Sequence, residues 1–110
     1  MDLRQLAYRW RKEGRIFAVT HRGRTWYLGF QFDADWRPLP GVAEALRHLG
    51  GWQEWDIATW FVVSNPLLGR QRPVDLVVDA PELVGRAAHR EAGRRLAADG
   101  HGRGAVRDGA

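Results

Sequence analysis

The chain has 110 residues, 45% of them hydrophobic and six of them tryptophan, with no cysteine and a formal net charge of +4. One domain's length with this apolar content is expected to fold around a core, which excludes a disordered chain. The absence of cysteine excludes disulfides and thiolate metal sites. No apolar run approaches the ~20 residues that span a bilayer, and the charged start MDLRQLAYRWRKEG lacks a signal peptide's apolar stretch, so a cytoplasmic protein is expected.

Charge is unevenly distributed. Residues 1–24 carry seven basic side chains against Asp2 and Glu13, residues 25–85 carry four against eight acidic ones, and residues 86–110 carry six against three. A basic head suits an anionic partner, and it equally suits a solvated charged surface.

In chain order, Leu3, Leu6, Ala7 and Trp10 fall at helical spacing and predict a helix over 2–13, stopped by Gly14. Residues 16–30 switch to period two and predict a β-hairpin. With Arg22-Gly23 as its turn, Val19 faces Trp26 and Phe17 faces Leu28. Residues 33–40, DADWRPLP, read as an irregular connection. Val42, Leu46 and Leu49 mark the next helix, ended by Gly50-Gly51. Another helix covers about 53–63 and stops before Pro66. Pro73 suits the first turn of a short helix reaching Val78.

A last helix is expected over about 79–98, with Asp79 as N-cap and Glu82 completing a capping box. Val84, Ala88, Ala92 and Leu96 form its apolar ridge. Gly85 and Gly93 weaken it by roughly 1 kcal/mol each against alanine. The expected fold class is α+β: an N-terminal helix and wing-like hairpin (1–33), then a bundle of about four helices (34–98) around Trp52, Trp55, Trp60 and Phe61. A flexible tail (99–110) is expected to follow.

Catalytic chemistry has little support. Histidines 21, 48, 89 and 101 share no metal-ligand spacing, and GHGRG follows no strand. Asp33 and Asp35 read as turn carboxylates, and Ser64 lacks a nucleophile motif. Asp75 and Asp79 could cap a helix or pair with Arg70 and Arg72. A non-enzyme without metal or cofactor is expected.

Two constellations remain. The first is a basic helix followed by a hairpin with arginines at its tip, the layout of winged DNA-binding modules. Arg4, Arg11, Lys12, Arg22 and Arg24 could neutralise phosphates, and Tyr8 or Gln5 could read base edges. A complete helix-turn-helix needs a further helix before the recognition helix, and here Met1 already lies inside the latter. The second is WFVVSNPLLGRQRPVDLV, residues 60–77. Ser64 or Asn65 bonding to free backbone groups would explain its Ser-Asn-Pro as a helix stop. That reading does not require Trp60-Phe61, Gly69, Arg70, Arg72, Pro73 and Asp75-Leu76 in this order.

The order resembles the signature of the Xre/MbcA/ParS-like toxin-binding domain: an aromatic helix end, a Pro/Asn turn, a glycine-arginine loop, then Pro-x-Asp-Leu. The segment 14–33 is similar to a wing that precedes this domain in some members. The resemblance covers about residues 10–96. It implies an antitoxin that occludes the active site of a RES-type, NAD-consuming toxin, with operon autoregulation on operator DNA and homo-oligomers within the complex. It also implies that Pro73, Asp75 and Leu76 set the fold of the motif, while Asn65, Arg70, Arg72, Arg86 and Arg90 face the toxin. The chain departs from the family at Val62-Val63 and Val77, and in having no full helix-turn-helix. The alternative function is DNA-binding transcriptional regulation through the basic head.

Overall fold

The computed structural model of the chain describes residues 2–109, with side chains over 2–98. Helix α1 (Leu3–Lys12) starts where the Asp2 carboxylate accepts from the Arg4 N–H at 3.3 Å. Ala7 is buried, Leu6 and Trp10 are half-buried, and Leu3 is exposed, so only the C-terminal part of the expected stripe is covered. Strands β1 (Val19–His21) and β2 (Arg24–Trp26) pair antiparallel, Val19 opposite Trp26, as the alternation requires. Arg22 and Gly23 both take positive φ, 51° and 74°, which a two-residue turn matching the strand twist demands.

The hairpin is shorter than expected. After Trp26 the chain leaves the ladder and forms a 3-10 turn (Gly29–Gln31), so Leu28 does not pair with Phe17. The fully buried amide of Gln31 takes the strand's place. Its Oε1 accepts from the Phe17 N–H at 2.8 Å, and its Nε2 donates to the carbonyls of Phe17 (2.9 Å) and Leu28 (3.2 Å). The Gln31 carbonyl then accepts from the Leu39 N–H at 2.8 Å, at the threshold of the helical part. Between them, Asp33 closes the connection as a turn carboxylate: its Oδ1 accepts from the N–H groups of Asp35 and Arg37.

Four helices follow: α2 (Pro40–Leu49), α3 (Glu54–Val62), the short α4 (Pro73–Leu76) and α5 (Pro81–Gly109), with a 3-10 turn (Pro66–Leu68) between α3 and α4. Phe61 is fully buried at the centre, stacked on Phe17 with ring centroids 6.0 Å apart and 5.2 Å from Phe30. Burying such a side chain contributes about 1.5–3 kcal/mol. Phe17 and Val19 belong to the same apolar core as Val42, Leu49, Ile57 and Val84. The expected boundary at residues 33 and 34 therefore crosses one shared core.

Helices α2 and α5 make the most extensive helix contact. Small residues permit it. A methyl group at Gly41 would lie 2.5 Å from the Val77 carbonyl oxygen, and one at Gly85 would lie 2.6 Å from Glu44 Cγ. Gly85 therefore lets the helices approach, an effect its helix propensity alone does not reveal.

Three further expectations change. Trp55 is 51% exposed and lies outside the core. Its indole N–H donates to the Thr20 carbonyl at 3.0 Å, fastening the hairpin to α3. Asp79 does not cap α5. Pro81 opens the helix, and the Ala80 carbonyl accepts from Leu83 (3.1 Å) and Val84 (3.3 Å). Finally, α5 does not stop near 98, since its backbone runs helically to Gly109 through the segment read as a tail. The side chains of that segment lie outside the described residues.

Gln31 yields a direct test. Gln31→Leu keeps the volume but leaves the buried N–H and C=O of Phe17 unpaired. A loss of about 2–5 kcal/mol is expected in urea unfolding. An unchanged unfolding midpoint would show that the amide is dispensable.

Candidate functional site

The segment from α3 to α5 is organised by Asn65. Its Oδ1 accepts from the Leu67 N–H at 2.9 Å, and its carbonyl accepts from the N–H groups of Leu68 (3.0 Å) and Arg70 (2.9 Å). Its own N–H donates to the Gln71 carbonyl at 3.0 Å, closing the loop. These bonds form because the Pro66 ring carries no N–H and ends α3's run, so an Asx side chain must satisfy the next free group. Asn65 is 8% exposed. The structure thus places this expected contact residue inside the loop, as its fastener.

Gly69 and Arg70 follow in the left-handed region at φ 62° and 69°. Glycine takes this conformation freely, whereas for an arginine it costs roughly 1–2 kcal/mol. The Arg70 N–H bond to Asn65 helps offset that cost. The Arg70 side chain is exposed and has no ion pair among the described residues. Arg72 behaves differently. Its guanidinium forks onto Asp75, Nε to Oδ2 and Nη2 to Oδ1, both at 2.8 Å. This pair brackets the first turn of α4, where Pro73 is buried at the first helical position. The hydrogen bonds from Arg72 hold the Asp75 carboxyl below its ordinary value of 3.8.

Against α5 the loop builds a groove of about 320 Å³. Leu67, Leu68, Leu76 and Leu83 line it, with Gln71, Arg86 and Arg90 supplying polar groups. Arg86 and Arg90, one turn apart, also border a wider cleft of about 750 Å³ between α2 and α5, so they stand on the crest between two openings. An apolar trough edged by guanidiniums can hold an aliphatic side chain while its carboxylate neighbours meet arginine. The leucines were not singled out from the sequence. Leu83, Ala87 and Arg90 lie at i, i+4 and i+7, a second stripe beside the Val84/Ala88 ridge, and that spacing was the available signal.

The N-terminal basic residues divide. Arg4, Tyr8 and Lys12 are exposed along α1, with the Lys12 ammonium 5.5 Å from the Tyr8 ring centre. Arg11 is engaged, its guanidinium donating to Glu54 Oε1 at 3.0 Å while the Thr20 hydroxyl donates to Oε2 at 3.2 Å. Glu54 thus ties α1 to β1. Arg22 and Arg24 are exposed on the hairpin, Arg22 in its turn, without ion pairs among the described residues.

Nothing in the described residues indicates catalysis. Ser64 is exposed and unbonded to a base, and Asp33 is committed to backbone groups. No cluster of three or more His, Asp or Glu is placed to hold a metal, and no helix is long and apolar enough to cross a membrane among the described residues. Compared with protein-family models, with curated proteins and with solved structures, the chain matches none.

The Arg72–Asp75 fork sets a pH dependence. A carboxyl held below 3.8 stabilises the fold above that value and loses the effect as pH falls through the lowered one. Asp75→Asn should therefore lower the urea midpoint slightly at neutral pH, with the gap to the native chain closing below pH 3.8. Urea titrations from neutral to acid pH read this. A gap that widens toward acid contradicts it.

Proposed function

We propose that the chain is an antitoxin-like protein that neutralises a RES-type, NAD-consuming toxin by covering its active-site cleft. The observation that carries this reading is the groove: the loop of the 60–76 segment, which resembles the toxin-binding signature, packs against α5 and leaves leucines and arginines open on one side. The partner surface it suits is an apolar side chain flanked by carboxylates. Arg70, Arg86 and Arg90 make the contact. Arg72 acts through Asp75 to hold the loop, and Asn65 acts from within it. The protein works without cofactor in the cytoplasm, as a homo-oligomer within the complex.

Co-expression with the toxin encoded beside it should restore growth. Arg86→Glu/Arg90→Glu should weaken the toxin complex at least about a hundredfold, since each of the two charge-assisted bonds contributes about 1.5–3 kcal/mol and about 1.4 kcal/mol is tenfold. Arg70→Glu should weaken it more than Arg72→Glu. Growth arrest that persists with the intact protein rejects the reading, and so does full rescue by the double reversal.

A second reading, DNA binding and operon autoregulation through the basic head, is favoured by one observation. Arg22 and Arg24 are exposed on the hairpin, and Arg4, Tyr8 and Lys12 are exposed on α1. A gel shift on the operon's upstream DNA should weaken steeply with salt and disappear in Arg22→Ala/Arg24→Ala. Arg11→Ala should act mainly through stability, because Glu54 already holds it. No shift at low salt removes this reading and leaves toxin binding untouched.

A further inference from the structure

His48 and His89 lie 41 positions apart, on α2 and α5. The fold brings their rings together edge-on, with centroids 4.8 Å apart and the two Nδ1 atoms 3.4 Å apart. We propose that this pair is a binding site for a late first-row divalent cation of the zinc, nickel and copper class, clamping α2 to α5.

The distance is the first argument. Two metal–imidazole bonds of about 2.0–2.1 Å in tetrahedral geometry place their nitrogens ~3.3–3.4 Å apart. The observed separation already has that bite, so both imidazoles can ligate after small ring rotations. Without a cation, the 3.4 Å contact is a hydrogen bond when one Nδ1 carries a hydrogen and the other is bare, so the tautomers set which ring donates. Neutral imidazole is the form that binds metal.

The setting is the second. Both rings border the open cleft between α2 and α5, so a hydrated ion reaches them from solvent and keeps water in its remaining positions. Among the described residues no third His, Asp or Glu is positioned to complete a ligand set. The site is therefore a two-histidine clamp of modest affinity, reversible and fit for exchange. Imidazole ligands favour the zinc, nickel and copper class over magnesium or calcium.

The cleft is lined by two carboxylates and three guanidiniums, an excess of one positive charge that keeps the cation affinity modest. On α2, Glu44 is paired to Arg47 at 3.1 Å. On α5, Glu82 faces the same cleft as Arg86 and Arg90. Glu44 sits one turn before His48 and lines the same cleft, so its carboxylate can accept from a metal-held water.

The consequence is mechanical. Arg86 and Arg90 flank His89 on α5, and α2 packs against that helix. A bound cation cross-links the two helices and stiffens the helix that presents these arginines.

The test uses the full-length chain with ZnCl₂, NiCl₂ and CuCl₂ added singly at pH 7.5, read by thermal unfolding. A concentration-dependent rise in Tm that saturates is expected for at least one of them, with magnesium inactive. His48→Gln and His89→Gln should each reduce the apparent affinity at least tenfold. Imidazole NMR of the native chain reads the same site should a variant fail to fold: zinc should shift the His48 and His89 ring signals together and leave His21 in place. No rise in Tm with any of the three metals overturns the proposal. So does a rise retained in both variants, or a shift confined to other histidines.

Discussion

The amide of Gln31 is the joint on which the rest of the molecule depends. A hairpin of three paired residues per strand is marginal in water, and its inner face needs a partner. Gln31 supplies one by offering Phe17 an acceptor and a donor, as a neighbouring strand would. Its own backbone meanwhile holds Leu39, immediately before α2. With Phe17 fixed this way, its ring lies flat on Phe61 and the hairpin becomes part of the helical core. The placement of α3, and of the loop that leaves it at Val63, follows from that stack.

Much of this was legible in the sequence, and the missed parts share a cause. Local rules found α1, the Arg22-Gly23 turn with its Val19–Trp26 register, the Asp33 turn and the stop at Ser64-Asn65-Pro66, because each depends on residues within a few positions of one another. They missed Gln31, whose period-two context looks like an ordinary strand end. Its role depends on Phe17, fourteen residues earlier. Trp55 was assigned to the core by its apolarity. Its indole N–H needs an acceptor and finds one on β1, and this draws the ring to the surface. Gly85 looked like a defect because propensity scales describe an isolated helix, whereas here Glu44 fills the space a side chain would occupy.

The candidate site shows the same division. The motif from Trp60 to Leu76 was visible as a string, and its punctuation explains its shape. Asn65 closes the loop, Gly69 turns it, and Pro73 restarts the helix. What the string cannot show is the face it shares with α5. The groove is lined by Leu67 and Leu68 of the 3-10 turn together with Leu76 of α4 and Leu83 of α5, residues that no local spacing connects.

The arginines make the division quantitative in space. Arg47, Arg72 and Arg94 each have an acid three residues away, and all three pair with it. Arg11 and Arg95 pair across the fold, with Glu54 and Asp56, and Arg95 also lies 4.2 Å from the Trp52 ring centre. In these pairs the charge holds the fold together, which is why net charge says little about what the surface can bind. Subtracting these, and the looser Arg15–Glu13 contact at 3.8 Å, leaves exposed basic groups on α1 and the hairpin, Arg37 in the connection, Arg70 on the loop, and Arg86 and Arg90 at the groove. The acidic middle segment holds Arg47 and Arg72 of its own and Arg11 and Arg95 from either side of it, which leaves the remaining basic groups to act outward on the two proposed partners, DNA and toxin.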